Sequence, residues 1–138
     1  MIPSEIINAA AAIVNPLYII TIPHNPHPKA RPRFGRGHRA YRDRADAEFE
    51  TLTATYLRAA IPAPLRGNVA VGCVFYRSTL HTVDGDNLTK HVLDAGNGIA
   101  WVDDSQCTAQ LAVVELDRAN PRSVILIGTH QSTMTRTK

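Results

Sequence analysis

Cysteine is scarce in this 138-residue chain: Cys73 and Cys107 lie far apart, with no C-x-x-C and no paired histidine spacing beside them. That argues against both a zinc finger and a disulfide framework, and it suits a reducing, cytoplasmic compartment. Long apolar runs are also missing. The best, residues 6 to 14, contains Asn8, is too short to cross a bilayer and has no basic segment before it. Neither a membrane span nor a signal peptide is expected. Aromatic residues make up only 6% of the chain, and no internal repeat is visible. What is present is an ordinary globular balance, 44% hydrophobic and 20% charged, which excludes a disordered or low-complexity chain. A single domain of this length buries roughly two thirds of its unfolded surface and needs no disulfide or structural metal.

Charge is segregated along the chain. The net charge is +3, yet Lys29, Arg31, Arg33, Arg36, Arg39, Arg42 and Arg44 face a single acid, Asp43, within one block, and the remainder is net acidic. An arginine-dominated block suits a polyanion, because guanidinium groups pair bidentately with phosphate oxygens. A solvated loop is the plainer reading. Phe34 and Tyr41, interleaved with the arginines, and Gly35 and Gly37, which permit close backbone approach, favour a nucleic-acid contact.

The spacing predicts a helix from residue 5 to about 14, capped by Ser4 and stopped by Asn15 and Pro16, as an appendage. Residues 18 to 22 (YIITI) read as a strand. Prolines 23, 26, 28 and 32 then enforce an extended surface loop carrying the basic block. Phe49, Leu52, Tyr56 and Leu57 recur at helical spacing between 45 and 59, ended by Pro62 and Pro64. Residues 69 to 75 form a largely buried strand running into Tyr76. A second core helix runs from about 87 to 95, capped by Asp86 or Asn87 and stopped by Gly96, Asn97 and Gly98. Two further strands, 107 to 116 and 123 to 127, are close enough to form a hairpin through a turn at Asp117, Asn120 and Pro121. The expected fold is α/β (α+β): a mixed sheet of about five strands with two core helices and an extra N-terminal helix. The domain spans residues 17 to 128, between the appendage of 1 to 16 and a polar, frayed tail of 129 to 138.

Five of the twelve acids, Asp84, Asp86, Asp94, Asp103 and Asp104, fall within 21 residues. Asp84 and Asp86, one residue apart in an extended segment, would project to the same side, and Asp103 and Asp104 return after the helix. Two carboxylates 4 Å apart repel by roughly 4 kcal/mol at an effective dielectric near 20, so convergence calls for a cation, and oxygen ligands select Mg²⁺ or Mn²⁺. The alternative is that Asp86 only caps the helix and the later pair sits in a solvated turn. An EF-hand is excluded, because the later ligands, the central glycine and the closing glutamate are absent. Lys90 lies one turn after Asp86: beside a metal it would stabilise charge on a phosphoryl group, and otherwise it forms an ordinary ion pair. Asn87 either bonds within the site or caps the helix. Asp94 either pairs with Lys90 or faces solvent. Trp101 reads as a core anchor for the acidic loop rather than a base-stacking group. His24, His27, His38 and His130 read as surface residues, and His81 and His91 flank the acidic segment.

The stretches K-A-R-P-R-F at 29 to 34, D-G-D-N-L-T-K at 84 to 90, V-L-D at 92 to 94, N-G at 97 and 98 and W-V-D-D-S-Q at 101 to 106 resemble the RusA family of Holliday junction resolvases in order and spacing. The resemblance covers residues 18 to 128. It implies a RusA-like, homodimeric endonuclease that binds four-way DNA junctions and cuts two opposed strands with Mg²⁺, Mn²⁺ being a possible substitute. Asp84, Asp86 and Asp104 then correspond to the metal-binding, catalytic acids, with Asp103 beside them as a further metal candidate. Lys90 corresponds to the catalytic lysine, and Lys29, Arg31 and Arg33 to the DNA-contacting region. The chain departs from the pattern at Thr82-Val83, at Gly96, where leucine is common, and in its extra first sixteen residues. None of these removes a metal ligand. Rival readings are a catalytically silent DNA-binding protein on the same scaffold, or a metal nuclease for flaps, forks or single strands.

Overall fold

The computed structural model describes residues 3–28, 33–34, 40–41 and 44–134. In chain order these form α1 (Pro3–Val14), β1 (Tyr18–Ile22), β2 (Arg33–Phe34), β3 (Ala40–Tyr41), α2 (Arg44–Ala60), β4 (Val69–Arg77), α3 (Gly85–Gly96), a 3₁₀ turn (Asp104–Gln106), β5 (Cys107–Leu116) and β6 (Arg122–Thr129). The mixed α+β class agrees with expectation. The strands divide into a four-stranded sheet, β1-β6-β4-β5, and a two-residue ribbon of β2 and β3.

The terminal strands do not form a hairpin. β6 pairs antiparallel with both β1 and β4, while β5 pairs parallel with the other edge of β4. The turn at 117 to 121 therefore carries the chain over the end of β4. Asp117 N–H donates to Arg77 O at 2.8 Å, and Arg122 Nη1 binds Asp117 Oδ2 at 3.0 Å with its guanidinium over the Tyr76 ring. The parallel β4–β5 pair requires a long crossover, and that connection contains α3 and the acidic residues.

β4 is buried on both faces, which explains its nearly continuous apolar run. Val69, Val71, Cys73 and Phe75 pack with Leu57 of α2, Leu88 and Val92 of α3, Trp101, and Ile125 and Ile127. Ala70, Val74 and Tyr76 face the other way, onto Ile6, Ala10 and Val14 of α1. The helix read as an appendage thus covers the second face of the sheet. It starts at Pro3 rather than behind Ser4. It ends at Asn15, whose φ of 50° takes the left-handed conformation that asparagine tolerates. Gly128 makes room for that end, since a Cβ there would sit 2.8 Å from the carbonyl oxygens of Val14 and Asn15. Residues after 129 are tied down as far as 134: His130 N–H donates to Asn68 O, and Asn68 Nδ2 donates to Met134 O. Among the described residues no helix is long and apolar enough to cross a membrane.

Between α2 and α3 lies a polar contact that periodicity does not reveal. Asp46 and His91 are both buried, and Asp46 Oδ1 lies 3.8 Å from His91 Nδ1 and 3.6 Å from His27 Nε2. The His91 ring packs 4.6 Å from that of Phe49. Burial lowers the His91 pKa from its ordinary 6.5, outweighing the opposing pull of the Phe49 backbone and the Asp46 carboxylate. The unfolded chain then binds a proton that the folded state refuses, so stability is full above the ordinary value and is lost as pH falls below it. Chemical denaturation at about pH 8 and about pH 5.5 is expected to show a loss of stability in acid that is smaller in His91→Gln; equal losses in the two proteins would place the acid sensitivity elsewhere.

Candidate active site

Helix α3 begins at Gly85, two residues before the expected start, and its N-cap is Asp84 rather than Asp86 or Asn87. The Asp84 carboxylate accepts the Asp86 N–H at 2.9 Å, and its carbonyl accepts from Asn87 and Leu88. Gly85, the first helical residue, lies over Ala112 and Val114 of β5, where even an added Cβ would make only ordinary contact. Asp84 and Asp86 therefore do not share an extended segment; one caps the helix and the other stands in its first turn. Negative charge is favourable there because the free N–H groups and the helix dipole face it. Leu88, Val92, Leu93 and Ala95 bury the opposite face, leaving Asp86 and Lys90 exposed one turn apart.

The chain returns through a tightly held loop. The indole of Trp101 is fully buried against Gly96, where any side chain would overlap the ring, and its Nε1–H donates to Leu93 O at 3.2 Å. Glycine at 96 is thus the space in which Trp101 sits, so the departure from leucine leaves no gap. Gln106 fixes the next step with all four hydrogen bonds of its amide. Its Oε1 accepts from Val102 N and Asp103 N at 2.8 and 3.0 Å, and its Nε2 donates to Leu65 O and Gly67 O at 2.9 and 2.8 Å. Asp103 caps the 3₁₀ turn by accepting the Ser105 N–H at 3.0 Å.

This loop brings Asp104 back to α3. Lys90 Nζ lies 3.6 Å from Asp104 Oδ2 and 3.1 Å from Asp94 Oδ1. The hydrogen bond that Lys90 donates to Asp94, above all, raises the Lys90 pKa, so the ammonium stays charged. Cys107 follows at the start of β5, but burial pushes its thiol up to about 12, with help from Asp104 and Asp103, and excludes it as a thiolate nucleophile.

Three aspartates beside a lysine fit a hard divalent cation in donor chemistry. As arranged here, no three histidine, cysteine, aspartate or glutamate side chains among the described residues stand close enough together to enclose an ion. The cation that touches Asp104 is the Lys90 ammonium. Of the other site residues, Asp84 and Asp103 both use a carboxylate oxygen as a cap. In the basic block, Arg44 opens α2, is exposed and lies 3.8 Å from Glu48. Arg33 pairs through its backbone with Tyr41 in the β2–β3 ribbon. Lys29, Arg31, Arg36, Arg39 and Arg42 lie outside the described residues. Sequence reasoning missed the role of Gln106, although it stands in the quoted W-V-D-D-S-Q stretch. It also left the Asp94 pairing open, although the i,i+4 spacing from Lys90 was its signal.

A search of curated proteins finds no match. The family model described as endodeoxyribonuclease RusA matches residues 23–128, which takes in the basic block, α2, α3, the acid-bearing turn and the three long strands β4, β5 and β6. With that match over most of its length, the chain belongs to the RusA family of endodeoxyribonucleases.

Proposed function

We propose that this protein is a Mg²⁺-dependent crossover junction endodeoxyribonuclease that resolves four-way DNA junctions by paired phosphodiester hydrolysis, in recombination and repair. The observation that carries the reading is the approach of Asp104 to Lys90, which joins the D-x-D-N-x-x-K helix start to the D-D-x-Q turn at one place. Asp84, Asp86 and Asp104 would hold the ion, with Asp103 adjacent. Mg²⁺, or Mn²⁺ in its stead, supplies positive charge to the phosphate and acidity to water at such a site. Lys90 keeps its proton and offers a fixed positive charge to a phosphoryl oxygen as negative charge builds up. The Trp101 and Gln106 contacts hold the acid-bearing loop in place, so that little reorganisation is needed at the moment of reaction.

The arginine block supplies the DNA contact on this reading, by phosphate pairing rather than base readout. A homodimer suits a roughly two-fold substrate, because one symmetric particle presents two sites to opposed strands. Among the described residues β5 pairs with a strand on one side only, and Leu80, Val114 and Leu116 are exposed in a cleft beside it. That edge is the surface we assign to a second copy.

With a labelled four-way junction, linear duplex and flap as substrates, Mg²⁺ is expected to give symmetric paired nicks on the junction alone, and EDTA none. Asp84→Asn and Asp104→Asn should abolish cleavage while junction binding is retained or tightened, since each removes a negative charge facing DNA. Unchanged cleavage by both would sink the assignment. Binding without cuts would mark a silent DNA-binding protein, and equal cutting of all branched DNA a less selective nuclease. Replacing both Arg31 and Arg33 with alanine should weaken junction binding and make its salt dependence shallower by about one unit of slope per lost phosphate contact; an unaltered slope would show that the block points away from DNA.

A further inference from the structure

The proline-rich arm that leads from β1 into the basic block is fixed to the rest of the molecule at three successive residues. Asn25 Oδ1 accepts the Ser78 N–H at 3.0 Å, just past the end of β4. Pro26 is buried. His27 Nε2 lies 3.6 Å from Asp46 Oδ1, and its ring stands 5.6 Å from that of Phe49 and 6.0 Å from that of His91. Asp46 and Phe49 belong to the first turns of α2, and His91 follows Lys90 on α3. Residues 27 and 46 also bracket the whole basic block, whose cationic residues run from Lys29 to Arg44. The β2–β3 ribbon, in which Arg33 pairs with Tyr41 and Phe34 with Ala40, is nested inside the same loop. The His27–Asp46 contact is thus the foot of an excursion of the chain whose two sides meet again at the ribbon.

Closing a loop costs chain entropy, and a contact at its foot meets that cost before any ligand arrives. Arginines on a chain already confined lose less freedom when they meet a phosphate backbone, so more of their attraction remains as affinity. We propose that His27 is a positioning residue for DNA binding: through Asp46 and the rings of Phe49 and His91 it fastens the foot of the basic block to α2 and to α3, the helix that carries Lys90. His27 acts on the arginines rather than on DNA. This rests on the nuclease reading above, in which the block contacts the phosphates. Asp46 is the buried half of the contact, 2% exposed, and it meets His27 from the arm and His91 from α3.

The test is fluorescence-anisotropy titration of a labelled four-way junction in EDTA, with thermal melts to confirm that each variant is folded. His27 is half-buried and lies outside the helices. His27→Gln should therefore melt close to the wild type and weaken junction binding by about fivefold, the scale of ordering one or two side chains on association. Asp46→Asn should weaken binding in the same way, and the double variant no further. Charge alone predicts the opposite sign, since a carboxylate lost near DNA strengthens binding. If Asp46→Asn does not fold, His27→Gln decides alone. Replacing both Arg31 and Arg33 with alanine should cost less in the His27→Gln background than in the wild type, whereas Arg44→Ala, on α2 itself, should cost the same in both. Undiminished binding by His27→Gln, or a penalty that simply adds to that of the two arginines, would mean that His27 does not hold the block. A smaller Arg44→Ala penalty would mean that the change disturbs α2 instead. Each of these results overturns the proposal while the nuclease reading stands. If alanine at 31 and 33 costs nothing in the wild type, the block does not contact DNA, and that part of the reading fails together with the proposal.

Discussion

The contact of Trp101 with Gly96 sets the geometry on which the candidate site depends. With no side chain at 96, the indole fills the space against the end of α3, ties itself to Leu93 O and turns the chain back along the helix. Gln106 then pins the returning loop, with two hydrogen bonds to residues 65 and 67 and two from Val102 and Asp103 of the loop itself, and Asp104 lands beside Lys90. A buried aromatic ring contributes a large apolar area, and a buried amide whose partners are removed costs about 1–3 kcal/mol per unsatisfied group. The two devices therefore hold the acid-bearing loop in place beside α3.

The repulsion among the acids of the site is managed locally in three ways. Asp84 and Asp86 use the positive end of α3, where the Asp86 N–H donates to the Asp84 carboxylate and the helix dipole favours negative charge. Asp103 spends one oxygen on the 3₁₀ cap. Lys90 lies between Asp94 and Asp104. The Lys90 ammonium thus offsets part of the negative charge gathered here.

Much of the fold is legible in the sequence wherever one residue's neighbours decide its state. The Y-I-I-T-I run gave β1 at the expected residues, and β5 has the expected bounds of 107 to 116. Helix α2 follows from Phe49 and Leu57, with Leu52 and Tyr56 partly covered. Strand order did not follow, because pairing is non-local: the turn at Asp117 and Asn120 looks the same whether β6 folds back on β5 or steps across β4 to the far side. The start of α3 was missed by two residues because Asp84, Asp86 and Asn87 are all good caps, and residue type alone does not choose among them. The burial of Asp46 and His91 against each other escaped notice since a periodicity argument places polar residues outside. In the site, the motif named residues at the start of α3 and in the returning turn, and of these the structure brings Lys90 and Asp104 together. The meeting of Lys90 with Asp104, fourteen positions apart, depends on the Trp101 and Gln106 contacts and has no signature in spacing alone.

The most direct test of the central claim, that these aspartates form a divalent-cation site, is paramagnetic broadening by Mn²⁺ of backbone amide resonances in the labelled, DNA-free protein. The account predicts selective loss of signals at Asp84, Asp86, Lys90 and Asp104 at low Mn²⁺, reversed by EDTA and absent in Asp104→Asn. Broadening centred elsewhere, or unchanged by Asp104→Asn, would contradict it.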